Sequence, residues 1–300
     1  MKWLTLRQNS IAIIIMTVFL LFFGILAINA ATSLRDYPAD KSLLATALAQ
    51  SYPVSIVITL PALMGAFIAA PLISKEIENN TLQLAFTQSI TRRKWFWDKF
   101  GTLFILIVVV FGLFSLSQHY FYLNAVKLTN SWDWFDIQIV VYMAYVVLAF
   151  SLGTLTGLLI GKQVPSMAIF LVLFFLIRFA LFKMRAYWFK PLVATWNFIG
   201  ENPEYQKGIW VISSRLVDKL GNPVTVGLKQ LGCDVLQFQV GDVSSTVEYD
   251  CYQRAGLLME YTYQPIERFL HIQVIEVTIT LLISFLAIAL MLWILEKRKR

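Results

Sequence analysis

Long apolar runs alternate with short polar segments along the chain, and this pattern predicts the architecture. Six runs are long enough for a helix to cross the hydrocarbon core of a bilayer, which takes about 20 residues. The predicted spans are Ile11–Ala31, Pro53–Ile73, Phe100–Leu123, Ile137–Gly161, Pro165–Phe182 and Leu270–Leu295. Lys2 and Arg7 precede the first run as in a signal peptide, but residues 8–34 carry no charge. Because a signal's apolar region is shorter, we predict an uncleaved span.

Composition supports a membrane protein. The chain has 300 residues, of which 58% are hydrophobic and only 14% are charged, and its mean hydropathy is +0.67. A soluble domain carries about a quarter charged residues. The predicted fold class is therefore an all-α polytopic membrane protein with six transmembrane helices. The net charge of +7 follows from the loop charges described next and does not indicate nucleic acid binding.

The basic residues of the short loops predict the orientation, because cytoplasmic loops are enriched in Lys and Arg. With the N-terminus inside, twelve basic residues lie on the cytoplasmic side: Lys2, Arg7, Lys75, Arg92, Arg93, Lys94, Lys99, Lys162, Lys297, Arg298, Lys299 and Arg300. The two short outer loops hold three: Arg35, Lys41 and Lys127. Both termini are predicted to be cytoplasmic.

The longest polar stretch, residues 184–269, predicts a small mixed α/β extracellular insert. Its elements are predicted, in order, as a β-hairpin over Trp210–Val217 and Pro223–Val226 with a turn at Asp218–Asn222, one or two strands within Asp234–Val247, and a helix over residues 248–262. Cys233 and Cys251, the only two cysteines, both fall in this insert. An even pair in an oxidising compartment predicts a disulfide; the alternative is two free thiols.

Soluble-enzyme motifs are absent from the sequence. The nearest approach to a phosphate-binding G-x-x-x-x-G-K-[ST] loop, at Gly161-Lys162-Gln163, lacks the first glycine and the hydroxyl. We expect no cofactor in this chain and no catalytic residue, so that ATP and Mg would be bound by a partner. No metal site is predicted, because His119 and His271 lie away from the cysteines.

Two charges fall inside predicted spans. Arg178 lies about 20 Å from the start of the fifth span, and Glu276 lies about two turns into the sixth, so that both reach a similar depth. An unpaired charge there costs at least about 2.5 kcal/mol, and we predict an intramembrane polar site in which they pair directly or through water. His119 is a possible third member. The alternatives are that Arg178 extends alone to the headgroups and that Glu276 lies at the interface.

Gly153, Gly157 and Gly161 recur at four-residue spacing in the fourth span. This spacing places them on one helix face, where another backbone can approach closely. We predict tight helix packing there, within the subunit or across a dimer. Pro61 is expected to kink the second span.

Four sequence segments form a recognisable set. They are the N-terminal KWLTLRQ, the segment APLISKEIENNT from Ala70 to Thr81, the segment TQSITRRKW from Thr87 to Trp95, and YQPIERF from Tyr263 to Phe269 followed by Gln273 and Glu276. In this order they resemble the small six-span ABC exporter permeases of type two from actinobacteria and firmicutes. Asn80 stands where the family usually has glycine, Leu6 stands in place of a second N-terminal tryptophan, and Leu270 replaces a tryptophan.

The resemblance implies a permease subunit that works with two copies of an ATP-binding subunit and pairs with a second permease chain, identical or related. Residues 1–10 would form an interfacial helix against membrane lipid, residues 11–183 the first five spans, and residues 270–300 the last span and a cytoplasmic tail. The cytoplasmic loop 74–99, here called the inner segment, would engage the ATPase. Its implied coupling residues are Glu76, Glu78, Thr81, Thr87, Gln88, Arg92, Arg93 and Lys94. The alternative is a solvated positive loop.

The function predicted from these observations is export of an amphipathic substrate, such as a peptide antibiotic, drug or lipid, across a bacterial cell membrane. Such a transporter could confer antibiotic resistance. One alternative is an antibiotic-sensing permease-like protein, which would purify with a sensor kinase instead of an ATPase. Another is a membrane-embedded lipid-modifying enzyme or protease, which would need an intramembrane catalytic set; the predicted spans contain no aspartate.

Overall fold

The computed structural model describes residues 2–35, 52–81, 91–126, 130–196, 208–224 and 256–297. Within these residues, six helical segments are long and apolar enough to cross a membrane: span 1, Ser10–Arg35; span 2, Val54–Glu78; span 3, Arg92–Ala125; span 4, Ser131–Ile160; span 5, Gln163–Arg185; and span 6, Ile266–Lys297. The predicted polytopic helical fold is therefore confirmed. Span 3 extends furthest beyond its predicted bounds, by eight residues at its start, and span 4 extends by six residues at its start.

The chain forms two compact units. The membrane unit comprises Met1–Thr129, Asp133–Phe182 and Gln273–Arg300, and the sheet unit comprises Asn130–Trp132 and Lys183–Ile272. In the membrane unit, an N-terminal helix over Lys2–Gln8 packs against span 3. The side chain of Asn9 donates to the Thr5 carbonyl at 2.9 Å, which keeps the join to span 1 helical.

Span 2 is an interrupted helix. It consists of α-helical pieces over Val54–Val57, Leu60–Met64 and Pro71–Glu78, with a π-helical turn over Gly65–Ala69. The first break precedes Pro61, which has no N–H to donate to the Val57 carbonyl four residues earlier. The hydroxyl of Tyr142 donates to that carbonyl instead, at 3.2 Å. The predicted distortion at Pro61 is therefore present, and a residue of span 4 supplies the missing hydrogen bond.

Spans 2 and 4 form the buried centre of the membrane unit. Span 4 combines a 3₁₀ turn over Ser131–Ile137 with an α-helix over Ile139–Ile160, and most of its side chains are buried. Span 3 packs on it through aromatic side chains, such as Phe100 against Phe150 with ring centroids 4.9 Å apart. Spans 1, 5 and 6 present long apolar faces that remain exposed, as expected for helices at a boundary with lipid or with another chain.

In the part of the sheet unit that the structure describes, there are three antiparallel strands: β1 over Leu192–Trp196, β2 over Ile209–Val217 and β3 over Leu258–Pro265. Their order is β1-β3-β2. An irregular register between Val211 and Ser213 bends β2. Trp132 packs on this unit, because its ring stacks on Trp210 at 5.2 Å and its indole nitrogen donates to the Gly208 carbonyl at 3.2 Å.

The sheet unit both confirms and corrects the sequence predictions. The predicted turn after β2 is present: Val217 bridges Pro223, and the Val224 amide donates to Leu216 at 2.9 Å. The helix predicted over residues 248–262 is wrong where the structure describes it, because Leu258–Pro265 form the central strand. Strand β1 was not predicted. Three predictions lie outside the described residues: the strands within Asp234–Val247, the disulfide between Cys233 and Cys251, and the coupling residues Thr87 and Gln88.

Candidate functional site

The end of span 2 begins the inner segment, and its geometry explains a sequence departure. The helix ends at Glu78, and Asn80 follows with φ +57°, the left-handed conformation. Glycine adopts this conformation without strain, and asparagine is among the few other residues that tolerate it. Asn80 can therefore occupy a position at which the resembled family has glycine. The Thr81 hydroxyl donates to the Glu76 carbonyl at 3.3 Å and reinforces the same helix end.

The two predicted coupling carboxylates have structural partners. Glu78 accepts from the backbone amide of Gln163 at 2.9 Å and so caps the first turn of span 5. Glu76 forms an ion pair with Lys99 near the start of span 3. The Lys99 side chain is only 6% exposed, and its ammonium lies 5.3 Å from the centre of the Trp95 ring. Glu76 and Lys99 lie near the two ends of the inner segment, and their ion pair therefore joins spans 2 and 3 there.

Span 3 begins with three consecutive basic residues. The Thr91 hydroxyl caps the helix by accepting from the Lys94 amide at 3.4 Å. Arg93 and Lys94 are exposed, whereas Arg92 is half-buried. Positive charges are unfavourable near a helix N-terminus, where the helix dipole is itself positive. The helix dipole therefore does not favour these charges, and the exposed Arg93 and Lys94 form a positive surface next to the capped end.

A polar cluster lies among spans 4, 5 and 6. The Arg178 guanidinium is 3.3 Å from the Asp136 carboxylate and lies 4.3 Å from the centre of the Tyr145 ring. The Tyr145 hydroxyl donates to Glu276 at 2.6 Å, and Glu276 is fully buried. Arg178 and Glu276 were predicted to pair with each other. In the structure both contact Tyr145, and the ion pair of Arg178 is formed with Asp136.

Two members of this cluster were missed by sequence analysis. Asp136 lies one residue before the predicted start of the fourth span, so that the predicted spans contained no aspartate; the observed span 4 includes it. Tyr145 lies in an uninterrupted apolar run, so its position in the sequence indicates only a packing role. His119, the predicted third member, stacks on Tyr122 with ring centroids 5.9 Å apart. No hydrogen bond or ion pair joins His119 to Arg178 or Glu276 in the part of the chain that the structure describes.

The predicted glycine face packs spans 2 and 4 of the same chain together. A Cβ at Gly153 would lie 2.6 Å from the Gly65 carbonyl oxygen, and one at Gly157 would overlap the Ala70 carbonyl oxygen. Gly161 has φ +68° and ends the helix against Ile77. Of the two alternatives left open by the sequence, this contact lies within the subunit.

The YQPIERF segment has a structural role in the sheet unit. The buried side chain of Gln264 donates to the carbonyls of Ala186 at 2.9 Å and Phe189 at 2.7 Å. Arg268 donates to the Lys190 carbonyl at 2.7 Å and to Gln264 at 2.9 Å. Both side chains thus satisfy carbonyls that follow the end of span 5. The described residues contain no group of His, Cys, Asp or Glu side chains that could hold a metal ion.

Family comparison agrees with this arrangement of spans. A model of the ABC-2 membrane transporter related family matches residues 11–185, which is more than half of the chain, and the chain belongs to this family. It is thus a multi-pass membrane protein and the permease subunit of an ABC transporter, which works with an ATP-binding subunit. Comparisons with curated proteins and with solved structures gave no match.

Proposed function

We propose that this permease exports an amphipathic substrate, such as a peptide antibiotic, a drug or a lipid, from a bacterial cell. Two copies of the ATP-binding subunit would bind ATP and Mg and engage the inner segments of this chain and of a second, identical or related permease. Both termini would be cytoplasmic, as the distribution of Lys and Arg supports. The N-terminal helix would lie on lipid headgroups, with Trp3, which is 68% exposed, in the interface.

The observation that carries this proposal is the positive surface at the start of span 3. Arg93 and Lys94 are exposed next to the helix dipole that disfavours them, so an external anionic surface is the partner that would stabilise them. Lys99, which pairs with Glu76, lies on the same helix about one and a half turns after Lys94. A movement of the ATPase at the inner segment would therefore displace spans 2 and 3 together.

The polar cluster among spans 4, 5 and 6 supports a pathway for a substrate with polar groups. Ionisable side chains within membrane spans are costly and mark substrate or ion pathways. Arg178 and Glu276 both contact Tyr145 and Asp136 pairs with Arg178, so that small changes in span position would exchange these contacts. We assign the cluster to the lining of the exit pathway, and the insert of residues 184–269 to the outer side.

Charge reversal at the exposed basic pair tests the coupling role. In the complex with its ATPase, Arg93→Glu with Lys94→Glu should abolish substrate-stimulated ATP hydrolysis and weaken retention of the ATPase at least tenfold. The matched control is Lys162→Glu with Lys297→Glu, which reverses two exposed lysines predicted to lie on the same side of the membrane. Arg92 is left unchanged because it is half-buried.

Two results would count against the proposal. If both double variants reduce ATPase retention equally, the loss reflects total charge and not this surface. If the Arg93 and Lys94 variant retains full ATPase stimulation, the positive surface has no part in coupling. Co-purification of the unmodified chain with a sensor kinase in place of an ATPase would favour the sensing function.

A further inference from the structure

A groove of about 580 Å³ opens between spans 1, 2 and 5. It belongs to the membrane unit, and apart from Lys75, which lies at the start of the inner segment, its lining residues belong neither to the inner segment nor to the polar cluster. Its volume falls in the range of ligand-binding clefts, about 300–1,000 Å³. Its walls are polar at one end and apolar along the rest of their length, so the two parts can be considered in turn.

The polar end lies where three helix ends meet. Gln8 and Asn9 precede span 1, Lys75 lies in the last two turns of span 2, and Gln163 begins span 5. All four side chains can donate hydrogen bonds. Lys75 is exposed and forms no ion pair with any residue that the structure describes. The groove lining contains no carboxylate, and the neighbouring Glu78 accepts from the Gln163 amide.

The apolar part follows one face of each helix. Ile11, Ile15 and Phe19 recur every four residues on span 1, and Leu63 and Phe67 face them from span 2. Phe19 lies about 15 Å along the helix axis from Asn9, at about 1.5 Å per residue. Ile15 is 53% exposed and Phe67 is 56% exposed, so the groove is open along its side to the hydrocarbon of a bilayer.

We propose that this groove binds a phospholipid with an anionic headgroup. The headgroup phosphate would pair with Lys75 and accept hydrogen bonds from the side-chain amides of Gln8, Asn9 and Gln163. One acyl chain would lie along Phe19 and Phe67. A lone lysine beside neutral amides selects a negative ligand by charge complementarity. A helix of a second copy would fill the apolar part but would have to present an acidic group to Lys75.

Lipid retention by the purified full-length chain tests the headgroup site. Native mass spectrometry should show preferential retention of phosphatidylglycerol over phosphatidylcholine with the same acyl chains. Lys75→Gln should reduce phosphatidylglycerol retention about fivefold, equivalent to about 1 kcal/mol, the attraction typical of one lysine for an anionic membrane surface. Lys297→Gln, on the same predicted side but outside the groove, should leave it unchanged. Equal retention of the two lipids, or equal effects of the two substitutions, would overturn the proposal.

A photoreactive residue in place of Phe67 tests the occupant of the apolar part. In vesicles that contain both lipids, it should form adducts enriched in phosphatidylglycerol, and Lys75→Gln should remove the enrichment. Ala12→Trp, which places an indole in the wall of the groove, should reduce the adducts. A crosslink between two copies of the chain in place of lipid adducts would overturn the proposal and assign the groove to a dimer interface. This experiment measures which molecule occupies the groove and is independent of the export direction.

Discussion

The two halves of span 4 pack in different ways. Its C-terminal half approaches span 2 through the backbone, since Gly153 and Gly157 leave no room for a Cβ. Its N-terminal half uses long polar side chains: Tyr142 donates to a carbonyl of span 2, and Tyr145 donates to Glu276 of span 6. Because the bilayer core holds no water, contacts within the protein must join the helices. The C-terminal half uses close backbone packing, and the N-terminal half uses side-chain hydrogen bonds.

The kind of contact in each half determines which substitutions that half can tolerate. A backbone contact has no rotamer with which to adjust, so that even one added methyl group must displace a helix. A side-chain contact can lose its hydrogen bond and keep its shape, as when tyrosine becomes phenylalanine. The glycine half is therefore suited to fix two helices rigidly, and the tyrosine half is suited to exchange partners as spans move.

The largest expected effect is at the glycine half. Gly157→Leu should separate spans 2 and 4, because its side chain overlaps the Ala70 carbonyl, and we expect a loss of about 3 kcal/mol or more in stability. The measurement is the midpoint of thermal unfolding in detergent. Gly112→Leu is the matched control on span 3, where a Cβ meets no described atom within 4 Å. Equal losses in the two variants would contradict the close contact.

A smaller effect is expected at the tyrosine half. Tyr145→Phe removes the hydrogen bond to Glu276 but keeps the ring beside Arg178, and Glu276→Leu removes the acceptor. A double-mutant cycle on thermal stability should give a coupling of about 0.6 kcal/mol, and at most about 1.7 kcal/mol, the average and the maximum for hydrogen bonds between membrane helices. Glu276→Gln retains an acceptor, so a cycle that uses this substitution should give a smaller coupling energy than the cycle with Glu276→Leu. Additive effects of the first two substitutions would mean that the hydrogen bond contributes nothing.

The smallest effect is expected at a polar contact that water can replace. In the turn after β2, the Asn222 side chain and the amides of Asn222 and Leu220 donate to Asp218 and hold the pKa of its carboxyl below the usual value. A lowered pKa means that the contribution to stability is present above the ordinary carboxyl pKa and is lost as pH falls through the folded value.

Hydrogen exchange at the Leu220 and Asn222 amides would measure this change. Protection should decrease below about pH 4, with no change in the membrane spans over the same range. Asp218→Asn should remove this pH dependence. Protection that stays constant through the acidic range would show that the carboxylate does not hold the turn.

Sequence analysis predicted the features that follow from a repeating pattern and missed those that depend on a single residue or a single hydrogen bond. Six apolar runs and three glycines at four-residue spacing are periodic, and both predictions were correct about which residues form helices and close contacts. Tyr145 lies within an apolar run, and no spacing distinguishes a packing tyrosine from one that donates to a buried carboxylate. Asp136 lay one residue outside a boundary that sequence analysis places only within a few residues.

The interruptions of span 2 were predicted only in part. Pro61 indicated a break, because proline lacks the N–H of a helical residue. The π-helical turn over Gly65–Ala69 had no sequence pattern of its own; in the structure it is followed by Pro71 and closely approached by Gly153. Coupling roles for Glu76 and Glu78 stay a prediction, and both carboxylates have intrachain contacts that only the folded chain brings together.

Site-directed crosslinking tests most directly whether the inner segment is where this permease meets its ATPase. A cysteine that carries a photoreactive group would replace Arg93 in one variant and Lys219 in another, in membranes that contain both subunits. The Arg93 variant should form a product whose digest contains peptides of a P-loop subunit, and the Lys219 variant should not, because the insert is assigned to the opposite side. A crosslink to the ATPase from Lys219, or none from Arg93 while the complex remains intact, would contradict the account.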